Sequence, residues 1–180
     1  MSTTCIFCSS AENLPAQYSV LARLVATNVA LGGDEMVFGG IRRGLMRVVA
    51  EAAQRGGAKV IGVYPESKKA LAEEYGCRLN DRNIETAGLA QRKHVMIEMS
   101  DNFAVLPGGY GTLDELMSTV TEITFGGLTG KHITIYNLDG LYDPILEQLR
   151  LMRERGLLTA PLESLVTVEN IDGSALLAAQ

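Results

Sequence analysis

Apolar residues follow two alternating patterns along this chain. Short, mostly apolar runs at residues 4–8, 36–38, 59–64, 103–106, 131–136 and 165–168 have the length of strands. Apolar side chains fall on both faces of such a run, as in a parallel sheet covered on each side. Between the runs, apolar positions recur every three or four residues, the helical period. Pro15 opens one such helix, with Tyr18, Leu21, Leu24, Val25 and Val29 on a face that stops at Gly32-Gly33. A second carries Leu45, Met46, Val49, Ala52 and Ala53 and ends at Gly56-Gly57. Residues 85–99 read as a helix containing Leu89, Val95, Met96 and Met99, with Arg92 and Lys93 in its middle. Leu113, Leu116, Met117, Val120 and Ile123 mark another, and residues 142–154 another, with Ile145, Leu146, Leu149 and Met152. Residues 65–83 look polar and irregular, with a short helix near 70–75. Asp139-Gly140 reads as a turn, and Asp172 as the cap of a small terminal helix.

Strands alternating with helices predict an α/β fold: a doubly wound, mostly parallel sheet with helices on both faces. The length, 180 residues, suits one domain over 1–180 with a sizeable core.

The sharpest local signal lies at residues 101–115, DNFAVLPGGYGTLDE. A buried strand runs into Pro107, which cannot extend a ladder, and then into Gly108 and Gly109. Thr112 and Glu115 have capping-box spacing, which predicts a helix with Thr112 as its N-cap. A helix N-terminus offers unpaired N–H groups and the positive end of the dipole. Gly108, Gly109 and Gly111 would let an anion reach that backbone without meeting a Cβ, so the loop reads as a phosphate or carboxylate cradle. The blander reading is an ordinary strand–helix turn in which Glu115 only closes the capping box. Thr112-Leu113 after Gly111 excludes a P-loop, and Asp114 stands where the dinucleotide fingerprint needs Gly or Ala.

A second glycine loop spans 39–44, and Arg42, Arg43 and Arg47 crowd the start of the helix after it. Positive charge there opposes the dipole. Either an anion binds among these arginines, or they are solvated or paired with carboxylates elsewhere. Ser9-Ser10 would fall at the carboxyl end of the first strand, where open α/β sheets bind ligands.

Composition narrows the partners. With 47% hydrophobic and 21% charged residues the chain reads as globular. A net charge of −5 makes nucleic acid a poor partner, and no apolar run reaches membrane length. MSTTCIFC does not resemble a signal peptide, so a cytoplasmic location is expected. Cys5, Cys8 and Cys77 read as free thiols, with Cys5 and Cys8 on opposite faces of a strand rather than at a redox helix start. His94 and His132 form no metal-spaced cluster with them, so no metal is expected.

Arg92-Lys93 followed by PGGYGTLDE at 107–115 resembles the signature of the LOG ("Lonely Guy") family of cytokinin riboside 5′-monophosphate phosphoribohydrolases. Gly39-Gly40, Gly44-Leu45-Met46 and the IFCSS segment extend the resemblance over nearly the whole chain. It implies a Rossmann-like fold, usually a homodimer, and hydrolysis of the N-glycosidic bond of a purine nucleoside 5′-monophosphate, with N6-modified adenine of the cytokinin type among the bases. Arg92 and Glu115 would be the catalytic pair. Gly108, Gly109, Gly111 and Thr112 would cradle the phosphate, with Lys93, Ser9, Gly39 and Gly40 also at the substrate. Members have often been labelled lysine decarboxylases, but the family needs no pyridoxal phosphate or other cofactor. The related alternative is a non-hydrolytic nucleotide or molybdenum-cofactor carrier.

The chain departs from the family at places that would flank the nucleotide pocket. It has one glycine fewer after Cys8, Ile41 in place of a third glycine, and arginines at 42, 43 and 47.

Overall fold

The computed structural model describes residues 2–160 and 162–179. Seven parallel strands form one sheet in the order β4-β3-β2-β1-β5-β6-β7. They are β1 (Thr3–Phe7), β2 (Glu35–Phe38), β3 (Val60–Pro65), β4 (Arg82–Thr86), β5 (Asn102–Val105), β6 (His132–Leu138) and β7 (Val166–Ile171). The helices are α1 (Ala16–Leu31), α2 (Gly44–Arg55), α3 (Lys69–Glu74), α4 (Leu89–Glu98), α5 (Tyr110–Phe125), α6 (Asp143–Glu154) and α7 (Gly173–Ala178).

The period of two explains the layering. Along β1, Cys5 and Phe7 point into one core and Ile6 into the other, which Cys8 also joins just beyond the strand. The first core packs the apolar faces of α1 and α2 (Leu21, Val25, Leu45, Val49, Ala53) against the sheet. The second packs Met96 and Ile97 of α4 and Leu116 of α5 against it, with Phe7 stacked on Phe103 at 5.8 Å between centroids. This is the doubly wound, Rossmann-like α/β arrangement that the alternating patterns predict. The thiols of Cys5 and Cys8 are buried, and burial raises the pKa of both, so they stay protonated and poorly nucleophilic.

Two local expectations fail. Residues 82–86 form a strand, β4, where the pattern reads as irregular chain leading into a helix. β4 pairs only with β3 and is mostly exposed, so Arg82, Asn83 and Glu85 are solvated and the apolar signature of a strand is missing. The helix expected from residue 85 therefore begins at Leu89. The capping box also does not form. The N-cap of α5 is Gly109, three residues before the expected Thr112, and no side chain caps the helix. Elsewhere the local rules hold: Asp172 accepts from the backbone N–H groups of Ser174 and Ala175, and Asp139 and Gly140 both take positive φ in their turn.

Candidate active site at the switch point of the sheet

After β1 the chain crosses towards β2, β3 and β4, whereas β5 lies on the other side of β1. The crevice between the carboxyl ends of β1 and β5 is therefore the switch point at which open α/β sheets bind ligands. A cleft of about 340 Å³ lies there, lined by residues that include Cys8, Ser9, Ser10, Arg92, Glu115 and the start of α5. That volume is in the range of small-molecule sites.

Backbone hydrogen bonds tie its walls together. Ser9 N–H donates to the Pro107 carbonyl at 3.1 Å, and Leu45 N–H donates to the Ser9 carbonyl at 3.0 Å. The loops after β1, β2 and β5 are thus joined through Ser9. Ser9 Oγ also accepts from Ala11 N–H at 3.0 Å, and Tyr142 OH donates to the Leu106 carbonyl at 2.6 Å. Gly44 closes the α2 side with φ +54°, and a Cβ there would lie 2.2 Å from the Ala11 carbonyl oxygen.

The α5 end is open. Leu113 N–H makes the first helical bond, to the Gly109 carbonyl at 3.0 Å, so the N–H groups of Tyr110, Gly111 and Thr112 precede the intrahelical ladder. Nothing lies within 4 Å of where a Cβ would stand on Gly109 or Gly111, and both line the cleft with Thr112. Gly108 serves differently: a Cβ there would sit 2.0 Å from Thr112 Oγ1, so its bareness lets the Thr112 side chain tuck beneath the loop.

Arg92 and Glu115 meet at this floor. Arg92 Nη1 donates to Glu115 Oε1 at 2.8 Å, with the two side chains only 10% and 6% exposed. Arg92 Nε donates to the Val63 carbonyl at 2.9 Å, which fixes the guanidinium plane. Gly39 makes room for it, since a Cβ there would lie 2.5 Å from Arg92 Nη2 and 2.9 Å from Met46 Cε. Glu115 Oε2 accepts no hydrogen bond from the described residues. Burial raises the Glu115 pKa above its ordinary value, and the attraction of Arg92 only partly opposes this. A carboxylate held this way is desolvated, oriented, and has one oxygen free for substrate or water.

The other expected residues fall outside the cleft lining. Lys93 Nζ pairs with Asp114 Oδ1 at 2.6 Å, joining α4 to the N-terminal part of α5. Gly40, at φ +80°, lets β2 end against β3, since a Cβ would stand 2.8 Å from Tyr64 Cδ1. The arginine cluster divides. Arg42 is buried and donates to Asn80 Oδ1, Gln54 Oε1 and the Leu79 carbonyl, so it pairs within the protein. Arg43 lines the cleft, and Arg47 lines a neighbouring hollow with Asn13 and Ser19. Met46, Ser10 and Ala11 also line the cleft; nothing in their sequence context beyond proximity to the glycine loops distinguishes them.

Among the described residues no group of His, Cys, Asp and Glu is placed to hold a metal ion, and no helix is long and apolar enough to cross a membrane. No lysine lines the cleft.

Comparison with known proteins gives the family and the fold. The family model described as "possible lysine decarboxylase" matches residues 46–176. A probable cytokinin riboside 5′-monophosphate phosphoribohydrolase of Arabidopsis thaliana, LOG6, is 38% identical over 142 residues, which is 79% of this chain and 69% of the relative. The cytokinin riboside 5′-monophosphate phosphoribohydrolase LOG of Oryza sativa subsp. japonica is 36% identical over 145 residues, 79% of this chain and 57% of that protein. Among solved structures, the molybdenum cofactor carrier protein of Chlamydomonas reinhardtii superposes with a TM-score of 0.68 at 18% identity, covering 99% of this chain and 95% of its own. At that identity the likeness speaks for the fold alone. With the family model matching residues 46–176 and relatives this similar over most of its length, the chain belongs to the LOG family.

Proposed function

We propose that the protein hydrolyses the N-glycosidic bond of a purine nucleoside 5′-monophosphate, releasing free base and ribose 5-phosphate. The observation that carries this reading is the buried Arg92–Glu115 pair on the floor of a cleft that also presents the open N-terminus of α5. The N–H groups of Tyr110, Gly111 and Thr112 are suited to a 5′-phosphate. Binding there supplies remote energy that positions the scissile bond. As the bond between C1′ and the base nitrogen breaks, positive charge builds on the ribose ring, as in glycoside hydrolysis. The Glu115 carboxylate stabilises that charge and accepts a proton from the water attacking C1′. The leaving nitrogen takes up a proton from solvent as the base departs, and Glu115 returns the proton it accepted to solvent to complete the cycle. Arg92 holds Glu115 in place and offers Nη2 to the substrate.

The test is incubation with AMP, other purine and pyrimidine monophosphates and isopentenyl-adenosine monophosphate, followed by chromatography. Free base with ribose 5-phosphate is expected. Stable binding with no base from any of them would favour the carrier reading, with which the fold is compatible.

The raised Glu115 pKa sets a pH signature. Catalysis uses the ionised carboxylate, so the acid limb of kcat/KM should lie above the ordinary carboxylate value of 4.5. Stability should run the other way. Between 4.5 and the higher folded value the native state binds more protons than the unfolded chain, so stability falls as pH rises through that window. The melting-temperature difference between wild type and Glu115→Gln, followed across pH, isolates this term. A wild-type melting temperature that rises relative to that of Glu115→Gln across this window would contradict it.

A homodimer is part of this reading. Phe125 and Leu157, 70% and 68% exposed, stand beside Met117, Val120 and Met152 in an apolar groove between α5 and α6. A second copy would cover this surface. Light scattering at micromolar concentration should give the dimer mass, and a monomer mass refutes the expectation.

A further inference from the structure

A residue that does not line the cleft holds one of its walls from behind. Tyr142, at the N-cap of α6, is 3% exposed, and its ring belongs to the second core with Val105, Leu116 and Ile135. Its hydroxyl donates to the Leu106 carbonyl at 2.6 Å. Leu106 is fully buried and stands one residue past β5, whose ladder to β6 ends where Val105 meets Ile135. The phenol thus supplies a donor where the sheet no longer does. Burial raises the phenol's pKa well above its ordinary value, opposed in part by the backbone of Gly108, which lies beside the same oxygen. The group stays protonated and donates throughout the working pH range.

What the hydroxyl holds is the turn that delivers α5. On the β1 side, Leu106 N–H donates to the Phe7 carbonyl at 2.9 Å, and the Pro107 carbonyl accepts from Ser9 N–H at 3.1 Å. Pro107 has no N–H to add a further tie. Tyr142 grips the same turn from the β6 side, since α6 follows β6 and β6 is the other neighbour of β5. Tyr142 is itself fixed. Asn137 Oδ1 accepts its backbone N–H at 2.8 Å, and Asn137 Nδ2 donates to Asp143 Oδ1 at 2.7 Å and to Asn170 Oδ1 at 2.9 Å. A chain of side-chain bonds therefore runs from β7 through β6 and the start of α6 to the loop in front of α5.

Resting on the reading of the α5 N-terminus as the 5′-phosphate cradle, we propose that Tyr142 is a positioning residue for that phosphate. Its hydroxyl sets the turn at 106–109, and the turn sets the direction of the Tyr110, Gly111 and Thr112 N–H groups. Those groups serve an anion only while they point at it, because hydrogen bonds weaken steeply as their angle closes. The blander account is a hydroxyl that only satisfies a buried carbonyl. The two accounts separate by ligand. Loss of a merely structural bond lowers stability whatever the ligand. Loss of aim lowers affinity for ligands that carry a phosphate and spares those that do not.

Tyr142→Phe keeps the ring and removes the hydroxyl, whereas Tyr142→Leu removes both. Calorimetry with ribose 5-phosphate, AMP and adenosine, with melting temperatures of the same preparations, tests the proposal. In Tyr142→Phe the Kd for ribose 5-phosphate and for AMP should rise roughly five- to tenfold, about the worth of one hydrogen bond. Adenosine affinity should stay near the wild-type value. With AMP as substrate the same factor should appear in KM, with kcat close to that of wild type. Tyr142→Leu should show the same phosphate-specific loss beside a larger fall in melting temperature. Unchanged ribose 5-phosphate affinity in Tyr142→Phe overturns the proposal, and so does an equal loss for adenosine and AMP. A loss confined to Tyr142→Leu overturns it too, since ring packing and not the hydroxyl would then be responsible. A wild type that binds no ribose 5-phosphate removes the cradle and the proposal together. Hydrolysis is read separately: phosphate-specific weakening in Tyr142→Phe, with no base released from any monophosphate by wild type, would sink the phosphoribohydrolase reading and leave the role of Tyr142 standing.

Discussion

Glu115→Gln should leave a folded protein that binds nucleotide and turns it over at least roughly 10²-fold more slowly, the scale of losing a positioned acid–base or electrostatic group. Gln keeps an acceptor for Arg92 Nη1, and Arg92 Nε keeps the Val63 carbonyl, so the guanidinium retains its geometry. The ionic part of the contact is lost, but burial of the charge already outweighs the attraction of Arg92, so stability at neutral pH should change little or rise. The defect should appear in kcat with little change in nucleotide affinity, because the charge acts on the developing cation and not on the ground state. If Glu115 only orients Arg92, a residue that preserves the hydrogen bond should preserve the rate. Near-native turnover in the same preparation that shows native affinity would therefore reduce Glu115 to a positioning role.

Gly44→Ala should be the most damaging small substitution near the cleft. Gly44 has φ +54°, and an added Cβ would meet the Ala11 carbonyl oxygen at 2.2 Å and Ser10 carbonyl carbon at 2.6 Å. These are backbone atoms, so no side-chain rotation relieves the overlap. Strain in that region of φ costs about 1–3 kcal/mol by itself, and displacing packed backbone adds to it. A loss of roughly 3 kcal/mol or more is expected by thermal or urea unfolding. Because Leu45 N–H holds the Ser9 carbonyl and Ser9 N–H holds Pro107, the displacement should also spread to the α5 loop and weaken nucleotide binding in whatever protein remains folded. By contrast, Gly109→Ala meets nothing within 4 Å and should leave stability much closer to wild type while narrowing the cleft. Equal stability of Gly44→Ala and Gly109→Ala would show that the α2 loop has room this geometry does not reveal.

The parts of the fold that are legible in the sequence are those whose physics is local or doubly buried. The runs at Ile6 and Phe103 are apolar on both faces because each lies between two cores. β4 is not legible because a strand at the rim has no second neighbour and little to bury, so Arg82-Asn83-Ile84-Glu85 carries no strand signature. At the site, the spacing of Thr112 and Glu115 points to a local cap, but a partner 23 positions earlier in the chain, Arg92, takes the carboxylate instead. Local pattern identifies Glu115 as a residue with a task and misassigns the task. The arginines at 42, 43 and 47 show the same limit. Opposition to the helix dipole marks all of them, yet only the fold shows that Arg42 is absorbed by Asn80, Gln54 and Leu79 while Arg43 faces the cleft.

The charged rim has a consequence for assembly. A parallel sheet could lengthen by adding a strand at either side, and growth of that kind has no built-in end. Here one rim presents Arg82 and Glu85 on β4 and the other Thr167 and Glu169 on β7. An incoming backbone would have to desolvate those side chains to pair. The apolar surface lies instead on helices, where a two-fold contact uses up both copies of the patch at once. Open-ended growth through the sheet edges is thus disfavoured, even at high concentration.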